Sequence, residues 1–126
     1  MNLDLTGKNA IVCGSTQGIG KAIATELALL GANTILVARN EEKLSLVCNK
    51  LDTSKGQNHN FIVADFSLPT QLKEVVEGYI TNNNVEVNIL INNTGGPAGG
   101  LIENAGTDEF IDTFSNHLIC NHIMMQ

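Results

Sequence analysis

Short apolar runs alternate with helix-like stretches along the whole chain, and this alternation restricts the possible folds more than any other feature. Asn9–Cys13, Thr34–Ala38, Phe61–Ala64 and Val87–Ile91 read as strands. Gly18–Leu30 reads as the first helix, with Gly31 as its stop. Asn40 can cap a second helix, in which Leu44, Val47, Cys48 and Leu51 recur at helical spacing. The polar stretch Asp52–Asn60 is predicted as a loop. A third helix is predicted from Pro69 to Ile80, with Leu72, Val75, Val76 and Tyr79 as its apolar stripe, broken by Asn82-Asn83-Asn84. A last helix is predicted from Thr107 to Met125. Near-continuous apolar strands separated by helices point to a doubly wound α/β domain over residues 1–126, with a parallel sheet covered on both faces. Right-handed crossovers give the strand order 3-2-1-4, and a ligand crevice falls at the C-terminal ends of the first and fourth strands, where that order reverses.

The first strand enters its helix through Gly14-Ser15-Thr16-Gln17-Gly18-Ile19-Gly20. A strand that turns through glycines into a helix offers bare backbone N–H groups and the positive end of the helix dipole to an anion. Gly14 permits the sharp turn, Gly18 permits close approach to a phosphate, and Gly20 lets helix and strand pack without an intervening Cβ. The segment reads either as a structural turn or as a diphosphate cradle for a dinucleotide. Arg39, Asp65 and the Asn92-Asn93 pair fall on the same edge of the expected sheet, which favours the cradle.

The 126 residues are 43% hydrophobic and 16% charged, an ordinary globular balance, with a net charge of −6 and no basic run. Nucleic acid and anionic membrane surfaces are therefore excluded as expected partners. The N-terminus lacks the build of a signal peptide, and no apolar stretch is long enough to span a bilayer. Cys13, Cys48 and Cys120 are odd in number and far apart, as expected of free thiols in a cytoplasmic protein and not of a disulfide frame or a metal site.

With its four landmarks in order, the chain resembles the short-chain dehydrogenases/reductases along essentially its whole length. The glycine turn is similar to that family's T-G-x-x-x-G-x-G, with Cys13 in place of threonine. Ala38-Arg39-Asn40 ends the second strand, Asp65-Phe66 follows the third, and Asn92-Asn93-Thr94-Gly95 resembles N-N-A-G with Thr94 for alanine. The resemblance implies a Rossmann-type domain binding a nicotinamide dinucleotide through Gly14, Ser15, Thr16, Gln17, Gly18, Ile19, Gly20, Arg39, Asp65, Phe66, Asn92 and Gly95. An acidic residue at the end of the second strand would favour a ribose 2′-OH; here neutral Ala38 precedes Arg39, so NADP(H) is expected over NAD(H). Gln17 departs from this expectation, since NADP-preferring relatives often carry a basic residue there, and Arg39 also reads as a solvated helix-start residue. Asp65 can accept from the adenine amino group, cap the following helix, or do both. The Gly95–Gly100 loop fits close approach to the nicotinamide and fits a mobile loop equally well.

The family's proton relay uses a tyrosine with a lysine four residues on, a serine, and an asparagine on the helix after the fourth strand. The single tyrosine, Tyr79, is followed four residues later by Asn83, and it reads as a core residue. His117 falls at the asparagine position; it is read either as a substitute that hydrogen-bonds water or as a partly buried helix residue. Four strands are too few for a complete sheet of this kind, and the apolar fourth strand would be left as an edge. The expectation is therefore the cofactor half of a longer NADP(H)-dependent oxidoreductase. It would act on a small-molecule carbonyl or alcohol, with 3-oxoacyl thioesters as the nearest substrate class, and homo-oligomerisation is expected from the family. The alternatives are a non-catalytic dinucleotide-binding module or redox sensor, and a structural protein that kept the fold and lost the site.

Overall fold

Four parallel strands, β1 (Asn9–Cys13), β2 (Asn33–Ala38), β3 (Asn60–Val63) and β4 (Ile89–Ile91), form one sheet in the order β3-β2-β1-β4. The computed structural model describes residues 3–93, 106–114 and 118–126. Ile11 is the register partner of both Ile35 on β2 and Leu90 on β4, and Val37 pairs with Ile62 on β3. The expected strand order and the Rossmann-like architecture are both present.

The period of two along each strand divides the core between the two faces. Val12 and Leu36 point to one side, where they meet Ala24 and Ala28 of α1 (Gly18–Leu29) and Leu44 and Val47 of α2 (Glu41–Lys50). Ile11, Cys13, Ile35, Val37 and Ile62 point to the other, against Leu72 and Val76 of α3 (Pro69–Asn83) and Cys120 of α5 (Cys120–Met125). Leu36, Leu44 and Leu72 are fully buried, each stabilising the fold by about 1.5–3 kcal/mol through loss of water contact. Tyr79 packs partly buried against the second face, as the sequence reading has it.

Helix ends follow local chemistry. Leu30 closes α1 and Gly31 follows with φ +101°. Asn40 caps α2 by accepting from the Lys43 N–H at 3.0 Å. The third helix departs from expectation: it runs through Asn82 and Asn83, and only Asn84, with φ +51° in the left-handed region that asparagine tolerates, ends it.

The fourth strand is also shorter than predicted. Val87 and Asn88 lie outside the strand, although the Asn88 N–H still donates to the Asn9 carbonyl at 3.0 Å, and side chains reinforce the connection there. The Asn9 N–H donates to Asn88 Oδ1 at 2.9 Å, and Asn9 Nδ2 donates to the Glu86 carbonyl at 2.9 Å. Asn9 Oδ1 in turn accepts from Asn33 Nδ2 at 3.1 Å, and Asn33 Oδ1 accepts from the Asn58 N–H at 2.9 Å. Asparagine amides thus join the N-terminal ends of the sheet across its width. β4 is half-buried rather than buried and pairs with β1. The predicted last helix is described as two stretches, α4 (Thr107–Phe114) and α5.

Candidate functional site

The C-terminal ends of β1 and β4 meet at the reversal of strand order, and the glycine turn is built there. The Gly14 N–H donates to the Val37 carbonyl at 2.9 Å, continuing the ladder one residue past β1. Gly14 then turns with φ +61°, and Gly18 with φ +60°, values that L side chains rarely adopt. The first turn of α1 contains no acidic residue, and Gln17 at its N-cap makes no side-chain capping bond. Its leading N–H groups and dipole therefore remain available to an anion. The start of α2, by contrast, is capped by Asn40 and carries Glu41 and Glu42 in its first turn.

Space around the turn is unequal. Among the described residues a Cβ at Gly18 would have no neighbour within 4 Å, whereas one at Gly14 would collide with the Asn93 carbonyl oxygen and one at Gly20 with the Gly14 carbonyl oxygen. The bare backbone at Gly18 is thus open to a ligand, and that at Gly14 and Gly20 is consumed by packing. Asn93 holds the arrangement: its Nδ2 donates to the Gly14 carbonyl at 3.4 Å. The sequence reading places the Asn92-Asn93 pair on this edge and counts Asn92, not Asn93, among the cofactor-binding residues. Asn92 is exposed, and Asn93 is the strut of the turn.

Ser15 is fully buried, yet its hydroxyl makes no hydrogen bond among the described residues. A buried hydroxyl without a partner costs about 1–3 kcal/mol, so one placed in an anion-facing turn points to a ligand that satisfies it. Thr16 is half-buried, and Ile19 is 71% exposed at the mouth of the helix.

Arg39 and Asp65 leave neighbouring strands on the same edge, since Ala38 and Val63 are register partners. Arg39 is exposed. Asp65 Oδ1 accepts from the Ser67 N–H at 2.9 Å and from the Ser67 hydroxyl at 2.7 Å. Partial burial pushes the Asp65 carboxyl up, but the Ser67 bonds and the Arg39 charge outweigh it and hold the group below the usual carboxylate range. Asp65 does not cap α3. Leu68 occupies the N-cap position, and Asp65 shapes the turn before it, with the Leu68 N–H donating to the Asp65 carbonyl at 3.0 Å. Phe66 turns its ring into the core, and its carbonyl accepts from the Cys120 thiol at 2.8 Å. It offers the crevice backbone rather than an aromatic face. Gly95, the Gly95–Gly100 loop and His117 lie outside the described residues.

Comparison with known proteins agrees with this fold. The family model for short chain dehydrogenases matches residues 8–124. The chain is 42% identical over 89 residues to the inactive hydroxysteroid dehydrogenase-like protein 1 of Homo sapiens, covering 71% of this chain and 26% of that protein. It is 36% identical over 89 residues to the very-long-chain 3-oxoacyl-CoA reductase of Mus musculus, covering 71% and 28%. The structure of L-sorbose reductase from Gluconobacter frateurii, complexed with NADPH and L-sorbose, superposes with a TM-score of 0.87 at 27% identity, covering 98% of this chain and 47% of that one. The chain thus spans about a quarter of those curated relatives and about half of that structural neighbour.

Proposed function

The chain belongs to the short chain dehydrogenase family, and from that premise we propose that it binds NADP(H) as the cofactor-holding part of an oxidoreductase acting on a carbonyl/alcohol pair. The observation that carries the reading is the buried Ser15 hydroxyl, without a partner among the described residues, inside an uncapped glycine turn. The turn from Gly14 to Gly20 and the N-terminus of α1 would hold the diphosphate, with Ser15 and Thr16 as hydroxyl partners and Ile19 covered by the ligand. Arg39 would hold the 2′-phosphate, and the Asp65 carboxylate and the Phe66 backbone would receive the adenine. Asn92 and Gly95 would line the route toward the nicotinamide, and His117 would order water near the substrate. When bound, the nicotinamide supplies or accepts a hydride; this chain's residues bind and orient it.

Similarity to a 3-oxoacyl-CoA reductase supports a 3-oxoacyl thioester as the substrate class. Preference for NADP(H) is supported by neutral Ala38 followed by Arg39, and by the NADPH named with the L-sorbose reductase neighbour. Homo-oligomerisation and a cytoplasmic location complete the proposal; no helix among the described residues is long and apolar enough to cross a membrane. A second reading, a non-catalytic dinucleotide-binding module or redox sensor, is favoured by the 42% identity to the inactive hydroxysteroid dehydrogenase-like protein 1 of Homo sapiens.

Fluorescence titration with NADPH and NADH tests the reading directly. Wild type should bind NADPH more tightly than NADH, and Gly18→Val, which places a branched side chain where the diphosphate would lie, should bind neither. A wild-type chain that binds no dinucleotide overturns the proposal.

A further inference from the structure

Arg39 does not stand alone at the strand ends. The Ala64 N–H donates to the Ala38 carbonyl at 2.9 Å, so Arg39 leaves β2 level with Ala64 and Asp65 leaves the adjacent β3 one residue further on, where the Arg39 charge still acts on its carboxyl. Glu41 and Glu42 follow Arg39 in the first turn of α2, and both are exposed. One guanidinium therefore shares this corner of the sheet with three carboxylates. Only Asp65 is fixed in place, partly buried and held through Oδ1 by both the backbone N–H and the hydroxyl of Ser67. The two glutamates can swing into solvent, where water and salt screen them. Asp65 has no such freedom.

We propose that Asp65 is a specificity-determining residue for the cofactor: its fixed negative charge opposes a 2′-phosphate at Arg39 and narrows the preference for NADPH over NADH. The inference rests on the dinucleotide reading above, with the adenosine end of the cofactor at Arg39. Both cofactors present the same adenine to Asp65 and differ only at the 2′ position, so the ratio of their affinities isolates the charge effect. A fixed unit charge a few ångströms from a phosphate at a wet surface alters affinity by about threefold to tenfold. The Arg39 charge, for its part, helps keep the carboxyl ionised at neutral pH, so the opposition persists under ordinary conditions.

The test is binding, not turnover. Asp65→Asn removes the charge while keeping an oxygen that accepts from Ser67, and Asp65→Ser removes it with a smaller side chain. NADPH and NADH are titrated into wild type and both variants by fluorescence, at low salt and at high salt, with folding checked by circular dichroism. The expected result is a rise of about threefold to tenfold in the NADPH-to-NADH affinity ratio at low salt, shrinking at high salt as the charges are screened. An unchanged or lower ratio in the folded variants, with wild type still binding NADPH, overturns the inference and leaves the cofactor reading standing. Wild type that binds neither cofactor overturns both.

Discussion

The side-chain amide of Asn93 donates to the Gly14 carbonyl at 3.4 Å, and the Asn93 backbone carbonyl lies against the Gly14 Cα with no room for a side chain between them. The strand-to-helix turn is therefore braced from the end of β4, and three glycines within it do different work.

Substitutions at these glycines should separate stability from binding. Gly14→Ala combines left-handed strain with a backbone collision and should lower stability by roughly 2–4 kcal/mol. Gly20→Ala meets the collision alone and should lose about 1–3 kcal/mol. Gly78→Ala, in α3 with nothing within 4 Å of the new Cβ, should gain about 0.5–1 kcal/mol. Urea denaturation followed by circular dichroism measures all three.

Ser15→Ala should move stability and binding in opposite directions. Removing a buried hydroxyl that has no partner among the described residues should leave the free chain as stable as wild type or about 1 kcal/mol more stable. Dinucleotide affinity should fall severalfold. Equal losses in both measurements would mean that Ser15 already has a partner in the free protein.

Arg39→Ala should weaken NADPH binding by about tenfold to a hundredfold, the worth of one charged hydrogen bond, and leave NADH binding nearly unchanged. Equal weakening of both, measured by the same titration, removes the 2′-phosphate from Arg39.

The Asp65–Ser67 turn should give stability a defined dependence on pH. The folded carboxyl is held below its ordinary value, so its stabilisation is complete above the unfolded range of about pH 4 and is lost as pH falls through the lower folded value. Ser67→Ala removes the hydroxyl bond and should cost about 0.5–1 kcal/mol near neutral pH, solvent screening keeping the figure small. The difference between variant and wild type should vanish in acid. A gap that persists at low pH would mean that Ser67 acts through packing instead.

Native thiol labelling should find Cys48 first. Burial pushes the Cys13 thiol up to about 12, with Cys120 nearby adding to the effect, and Cys120 is itself fully buried. Cys48 is only partly covered. Iodoacetamide followed by mass spectrometry should modify Cys48 in the folded chain and the other two only in denaturant. Early labelling of Cys13 would contradict its placement.

Much of this architecture is legible in the residues alone. The strands, the glycine turn and the helix ends at Asn40 and Gly31 follow from local patterns, because each depends on neighbours a few positions apart, and the strand order follows from the handedness of the crossovers. The misreadings share a cause. Asn82 and Asn83 look like breakers, yet asparagine only weakly disfavours a helix, and the stop needs the left-handed backbone that only Asn84 adopts. Val87 looks like strand, but the chain meets β1 there through one backbone bond from Asn88 and through side-chain bonds of Asn88 and Asn9 rather than through a regular ladder. The role of Asn93 is invisible for a stronger reason: its partner Gly14 lies 79 positions away, and no periodicity records such a contact.

That separation has a consequence for how the chain acquires its ligand site. β1 is synthesised first, but the turn after it is braced only when β4 docks beside it, after β2, β3 and three helices have been made. Closing so long a loop is entropically late and slow, so the site matures with the pairing of β4 to β1 rather than with its own residues. A dinucleotide that binds only the braced turn would then pull the folding equilibrium toward the state in which β4 is docked. Cofactor concentration in the cell would in this way set how much of the chain is folded as well as how much is loaded.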